Sequence, residues 1–265
     1  LGRIAEEKLK DDRRSVEAYA KAVEHAGDAP ELLEALDRLY GRLGDTKALA
    51  DVLERRVSVV TSDREQADLY HRLATIQIDT DGDKPQGLAT LRQALERAPD
   101  HGPARASLEK LTEHKDLFEE AADALENVYR TQADWPALAR LFEKRIGYAA
   151  TAADRVRLRL DLAKVLEEQS GDASAAHTAL LAAFADDPTD NDVSTEIERL
   201  SPVVNGWGAA ADALEATAKA REDLASDAAR DLWVRIAGWR KDKIGDAKGA
   251  ERAFECGLVE TVARA

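Results

Sequence analysis

Residues 45–101 read DTKALADVLERRVSVVTSDREQADLYHRLATIQIDTDGDKPQGLATLRQALERAPDH, and residues 134–190, DWPALARLFEKRIGYAATAADRVRLRLDLAKVLEEQSGDASAAHTALLAAFADDPTD, repeat the message. The two stretches align without a gap at an offset of 89 residues (134 − 45 = 89). Asp45, Ala48, Leu49, Ala50, Glu54 and Arg56 meet Asp134, Ala137, Leu138, Ala139, Glu143 and Arg145. Leu69, Leu73, Ala74, Gly82, Asp83, Leu91, Ala94 and Pro99 meet Leu158, Leu162, Ala163, Gly171, Asp172, Leu180, Ala183 and Pro188. Even the helix-start chemistry recurs, since Ser62-x-x-Glu65 and Thr151-x-x-Asp154 form the same capping pattern. An internal repeat of this length decides the fold class before any single residue does, because one unit exposes an apolar face that only a neighbouring unit covers.

Outward from this repeat, apolar residues keep helical spacing and no stretch alternates as a strand would. Gly-Asp punctuates the chain at Gly27-Asp28, Gly44-Asp45, Gly82-Asp83, Gly171-Asp172 and Gly245-Asp246. Glycine takes the left-handed conformation that ends one helix, and aspartate caps the free amides of the next. Pro30, Pro103 and Pro136 stand where helices begin, and Pro99 and Pro188 follow helix ends. These marks predict helices near 1–10, 14–26, 31–43, 46–60, 63–79, 84–98, 103–114, 117–131, 135–149, 152–169, 173–186, 191–200, 207–221, 227–243 and 247–258. A second match, residues 22–39 on 94–111, has an offset of 72 (94 − 22 = 72). Its difference from 89 is one helix and a turn, which places one additional helix within 103–149. The expectation is an all-α protein: an α-solenoid of antiparallel helix hairpins forming a single continuous array over residues 1–265, about seven pairs plus one extra helix. Residues 1–10 read as the middle of a helix and the chain contains no Met, so a piece of a longer protein is expected.

Composition narrows the partners. Charged residues make up 34% of the chain and aromatics only 5%, which suits thin layers of helices with much exposed surface. The formal net charge of −14 repels nucleic-acid phosphates and anionic membranes, leaving a protein or peptide with a basic or mixed-charge surface as the expected partner. Self-association stays open. No apolar run approaches the length of a membrane span. The single Cys256 excludes an internal disulfide and a cysteine-based zinc site, and it fits a reducing, cytoplasmic setting.

Within each unit, small and bulky residues are spaced in a way that resembles tetratricopeptide (TPR) repeats. The sets are Ala74, Gly87, Leu91, Ala94, Pro99; then Ala163, Ala176, Leu180, Ala183, Pro188; then Ala237, Ala250, Phe254, Gly257, with Trp233 and Ile236 where that family favours Trp and Leu. Ser15, Tyr19 and Ala22 begin a further set. Small residues let two helix backbones approach, and bulky ones fill the gap between neighbouring hairpins. The resemblance covers four hairpins; 31–60, 103–149 and 191–221 fit as degenerate pairs. The spacing between the two helices runs one residue longer than the family norm at Ala74 and Ala163. Arrays of this pattern are similar to those of large bacterial TPR proteins. The resemblance implies a right-handed superhelix whose concave face, lined by the first helix of each pair, binds a partner segment. Carried over, the groove positions are Asp68, His71 and Thr75, then Arg157, Leu160 and Lys164, then Asp231, Val234 and Lys241. The Lys/Asn set with which some members clamp a terminal carboxylate is not reproduced, which disfavours that mode.

Other chemistry is weakly represented. Asp79-Thr80-Asp81-Gly82-Asp83 places acids as an EF-hand does, but Lys84 and Thr90 stand where that loop needs Gly and Glu, so an acidic turn is expected. None of His25, His71, His101, His114 and His177 has zinc-ligand spacing, and no nucleophile elbow or phosphate loop appears. No cofactor, no metal and no enzymatic activity are expected. Trp135, Trp207, Trp233 and Trp239 read as packing between hairpins, with an exposed groove anchor as the alternative. The leading expectation is therefore a protein-interaction scaffold. The alternative is a structural spacer or oligomerising arm that uses no groove.

Overall fold

The computed structural model describes residues 2–221 and 223–263. Leu1 and Ala265, the predicted limits of the array, lie outside the described residues. Among the described residues there are fifteen α-helices and no strand. They fall into two compact units, Leu1–Ala133 and Asp134–Ala265.

The first unit holds α1 (Gly2–Ile4), prolonged by a π-helical turn over Ala5–Leu9, and α2 (Asp12–Ala26). It continues with α3 (Pro30–Leu43) and α4 (Thr46–Val59), α5 (Asp63–Asp79) and α6 (Lys84–Arg97), and α7 (Gly102–Leu111) and α8 (Phe118–Gln132). The second unit opens with α9 (Trp135–Tyr148), which matches α4 at the 89-residue offset. Three pairs follow: α10 (Ala152–Lys164) with α11 (Ala173–Asp186), α12 (Asn191–Leu200) with α13 (Trp207–Ala220), and α14 (Ser226–Gly238) with α15 (Ala247–Ala263). Each unit is an all-α stack of antiparallel hairpins, the α-solenoid construction that the repeat predicts.

The caps explain why helices start where they do. Asp45, Asp83, Asp134, Asp172 and Asp190 each accept the amide hydrogen of the residue three further on, at 2.8–3.2 Å. Such a cap is worth about 1 kcal/mol. Ser62 and Thr151 accept from the amides of Glu65 and Asp154 in the same way. Gly82, Gly171 and Gly245 end their helices with φ of +72°, +69° and +79°. In each case the next residue's amide reaches back six residues: Asp83 to Gln77, Asp172 to Leu166, Asp246 to Arg240, at 2.7–2.8 Å. One turn chemistry is thus used three times.

The extra residue between small positions is absorbed locally. A π turn accommodates one residue more than an α turn. Such turns prolong α10 over Val165–Gln169 and α14 over Trp239–Ile244, at equivalent repeat positions. In α5 the surplus shows only at the end, where the Asp81 amide donates five residues back to Ile76. Helix limits otherwise agree with the sequence reading within about three residues, except that α15 runs on to Ala263. Gly257 does not stop it. Its role is close approach: a Cβ there would lie 3.0 Å from that of Trp233.

Packing follows the repeat. Leu53 and Val57 of α4 cluster with Leu69, Leu73 and Ile76 of α5. Leu91 and Leu95 of α6, and Leu180 and Phe184 of α11, are buried at the equivalent place in each unit. Full burial of each such side chain contributes about 1.5–3 kcal/mol.

Candidate functional site

The helices that open each hairpin carry all the predicted groove residues. They are also linked to one another by side chains, a feature absent from the sequence reading. In the first unit, Glu6 accepts from Arg38 at 2.8 Å and Arg42 at 2.9 Å, tying the start of the chain to α3. Asp37 of α3 accepts from Arg72 of α5 at 2.5 and 2.8 Å and also from Arg56. His71 of α5 meets Ser107 of α7 at 3.1 Å. In the second unit, Arg199 of α12 donates to Glu167, beyond α10, at 2.7 Å. Arg235 of α14 donates to Ser194 of α12 at 2.5 Å.

Charge and burial give these links unequal weight. Asp37 is only 5% exposed. Burial by itself would raise its pKa, but the hydrogen bonds and charges of Arg72 and Arg56 hold the carboxyl below its ordinary value. Glu6 and Glu167 are lowered chiefly by their hydrogen bonds to Arg38 and Arg199. His71 is lowered first by burial and then by the neighbouring His101, whose ring centroid lies 5.6 Å away. His101 is itself a cap: its Nδ1 accepts the Ala104 amide hydrogen, so Nε2 carries the proton donated to Asp68 at 2.8 Å.

The predicted groove residues divide into three local sets. On α5, Asp68 is engaged by His101, His71 by Ser107, and the Thr75 hydroxyl donates to the His71 carbonyl at 2.9 Å. On α14, Asp231 is exposed beside Arg230 and lines a recess of about 160 Å³ with Arg235. Val234 is exposed there, and Lys241 sits in the π turn beyond. On α10, Leu160 and Lys164 line a separate recess of about 430 Å³, closed by Leu180, Glu196, Arg199 and Leu200. Arg157 lies on the same face, one turn earlier.

This α10 recess has a distinctive charge order. Arg157, Asp161, Lys164 and Glu168 recur at i, i+4, i+7 and i+11, all exposed. None of the four side chains has a hydrogen-bond or ionic partner among the described residues, whereas Glu167, Arg199 and Glu196 are paired with one another. The floor is aliphatic, from Leu160, Leu180 and Leu200. Asp161 and Glu168 were not among the predicted groove residues, although their i+4 spacing from Arg157 and Lys164 places them beside those two.

The tryptophans sort mainly into packing. Trp233 and Trp239 are buried, Trp207 meets Trp239 edge-on at 5.2 Å between centroids, and the Lys243 ammonium lies over the Trp207 ring. In the acidic turn, Gly82 bends the chain and Asp83 caps α6. Among the described residues no cluster of three or more acids, histidines or cysteines is placed to hold a metal ion. None of the described helices is long and apolar enough to cross a membrane.

No family model matches the chain, and no curated protein does. Solved structures of helical repeats do. A thermophilic TPR protein of Thermus thermophilus shares 16% identity, covering 72% of this chain and 91% of its own, with a TM-score of 0.26. The C-terminal part of a TPR repeat-containing protein from Cytophaga hutchinsonii shares 13% over 96% of this chain and 94% of its own, at 0.28. The TPR2AB domain of yeast Sti1, in a complex with pHSP90, shares 15% over 95% and 93%, at 0.30. In the construction of its helical repeats, this chain is similar to TPR-repeat proteins.

Proposed function

We propose that this chain is a protein-interaction scaffold that binds and does not turn over, and that the α10 face receives a mixed-charge segment of a partner protein. The observation that carries this reading is the unsatisfied stripe Arg157, Asp161, Lys164, Glu168 beside an aliphatic recess. At 1.5 Å per residue, like charges in the stripe lie about 10 Å apart along the helix. A partner with acid and base alternating at that interval pairs with all four. Each exposed pair contributes only about 0.2–1 kcal/mol, so the stripe selects register and orientation. Burying an apolar partner residue over Leu160 and Leu200 supplies the rest. A nucleic acid satisfies only the two cations and meets the overall charge of −14.

The test is affinity capture from the source organism's lysate, with partners identified by mass spectrometry, beside an Arg157→Glu/Lys164→Glu variant. A specific protein recovered by the native chain and lost by the variant supports the reading. Equal recovery by both refutes the assignment of this face.

A further inference from the structure

The four open charges of α10 read the same, with signs exchanged, from either end of the helix. Arg157, Asp161, Lys164 and Glu168 alternate base and acid, and the steps between them are four, three and four residues (161 − 157, 164 − 161, 168 − 164). Reversing the direction keeps the steps and inverts every sign. A second α10 laid antiparallel on the first therefore sets Arg157 against Glu168 and Asp161 against Lys164, each pair occurring twice. One two-fold axis, crossing the helix between Asp161 and Lys164, makes all four contacts together. That reciprocity, residue i on j and j on i, is what an interface between two identical surfaces requires. A parallel copy in register would set like charge on like at all four positions.

The stripe also points away from its own unit. Val156, Leu158, Leu162, Ala163 and Val165 are buried on the other side of the helix, while the four charges are exposed. The repeat shows that the fold does not demand this arrangement. At the same positions α5 carries Asp68, Arg72, Thr75 and Asp79 (offset 89), and α14 with its π turn carries Asp231, Arg235, Gly238 and Asp242 (offset 74). Each of those sets has acid at both ends, so neither inverts on reversal. Their arginines are engaged inside their units, Arg72 by Asp37 and Arg235 by Ser194. On α10 the same position holds Asp161, which has no partner among the described residues.

We propose that the occupant of the α10 face is a second copy of this chain, docked about a two-fold axis with the two α10 helices antiparallel. This choice of partner rests on the reading of α10 as the binding face and makes it specific. Four exposed pairs form a weak contact that fixes orientation. Each chain carries a net charge of −14, so two whole molecules repel at long range. At about 0.15 M salt that repulsion is screened beyond about 8 Å, and the pairs across the axis lie closer than that.

The experiment is sedimentation equilibrium of the full chain and two variants, at about 0.15 M and about 1 M sodium chloride. Arg157→Glu/Lys164→Glu makes the stripe wholly acidic, and Asp161→Lys/Glu168→Lys makes it wholly basic. All four side chains are exposed, so circular dichroism should show both variants folded like the native chain. The native chain should associate reversibly to a dimer, less so at the higher salt. Each variant alone should associate at least about tenfold more weakly, and an equimolar mixture of the two should recover the native affinity within about threefold. Net charge separates this from a general effect: the acidic variant carries −18 (−14 − 4) and the basic one −10 (−14 + 4). If bulk repulsion governed association, the basic variant would dimerise more tightly than the native chain, and that result overturns the proposal. So does a native chain that stays monomeric at about 0.5 mM, or a mixture no tighter than its components. If a lysate protein is still captured through Arg157 and Lys164 in those cases, only the second copy is excluded; if none is, the α10 face falls with it.

Discussion

Asp37→Ala removes the carboxylate on which α3, α4 and α5 converge. Asp37 is buried and accepts from Arg56 and Arg72, and the Arg56 side chain is itself only 11% exposed. Removing one member of a buried pair costs about 3–5 kcal/mol, mostly from the charge left behind. Here the loss is softened, since Arg56 keeps Glu65 at 3.1 Å and Arg72 is 44% exposed. The expected destabilisation is therefore about 2–3 kcal/mol. With a urea dependence near 2 kcal/mol per molar, the midpoint falls by about 1–1.5 M. The assay is urea unfolding followed by far-ultraviolet circular dichroism and by tryptophan fluorescence together. All four tryptophans lie in residues 134–265, so fluorescence reports the second unit alone. If residues 1–265 unfold as one array, both signals shift; if the units unfold separately, only the dichroism of the first unit does. Because the folded pKa of Asp37 lies below its unfolded value, its stabilisation is complete above about pH 4 and is lost as the pH falls below that. The difference between native chain and variant should shrink in that range. A dichroism midpoint unchanged at neutral pH refutes the reasoning.

Burial lowers the pKa of His71 in the first unit and of His177 in the second. Unfolding therefore takes up protons, and stability should be full above about pH 6.5 and decline below it; His177→Gln should flatten that decline in tryptophan-detected unfolding. Gly87→Ala should destabilise by about 1 kcal/mol, although alanine is the better helix former, because the new Cβ lies 2.3 Å from Ile78 Cγ1. Ile78→Ala in the same chain should recover much of that loss in thermal melts, since the repeat itself pairs Ala176 with Glu167 at these positions. Arg157→Glu/Lys164→Glu should leave the melting temperature unchanged within about 1–2 °C, as both side chains are exposed and unpaired among the described residues; a larger fall in calorimetry points to a structural role.

The sequence by itself determined the helices, their caps and the repeat. Those depend on interactions within a few residues: Asp83 caps α6 with a residue three positions on, and Gly82 turns the chain in place. It also placed Leu160 and Lys164 on one side of α10, because residues four apart on a helix share a face wherever that helix packs. Tertiary structure alone decided which charges remained free. Glu167 and Arg199 look like any acid and base in the sequence, but they stand 32 residues apart and neutralise each other across two helices. Asp161 and Glu168 are equally ordinary in sequence, and they stay open because no cation among the described residues reaches them. In the sequence His101 shows only that it lacks zinc-ligand spacing, yet its ring caps α7 and donates to Asp68. Local hydrogen bonding and helical periodicity are written in adjacent residues. Pairing and coverage are set by which helix arrives from elsewhere in the chain.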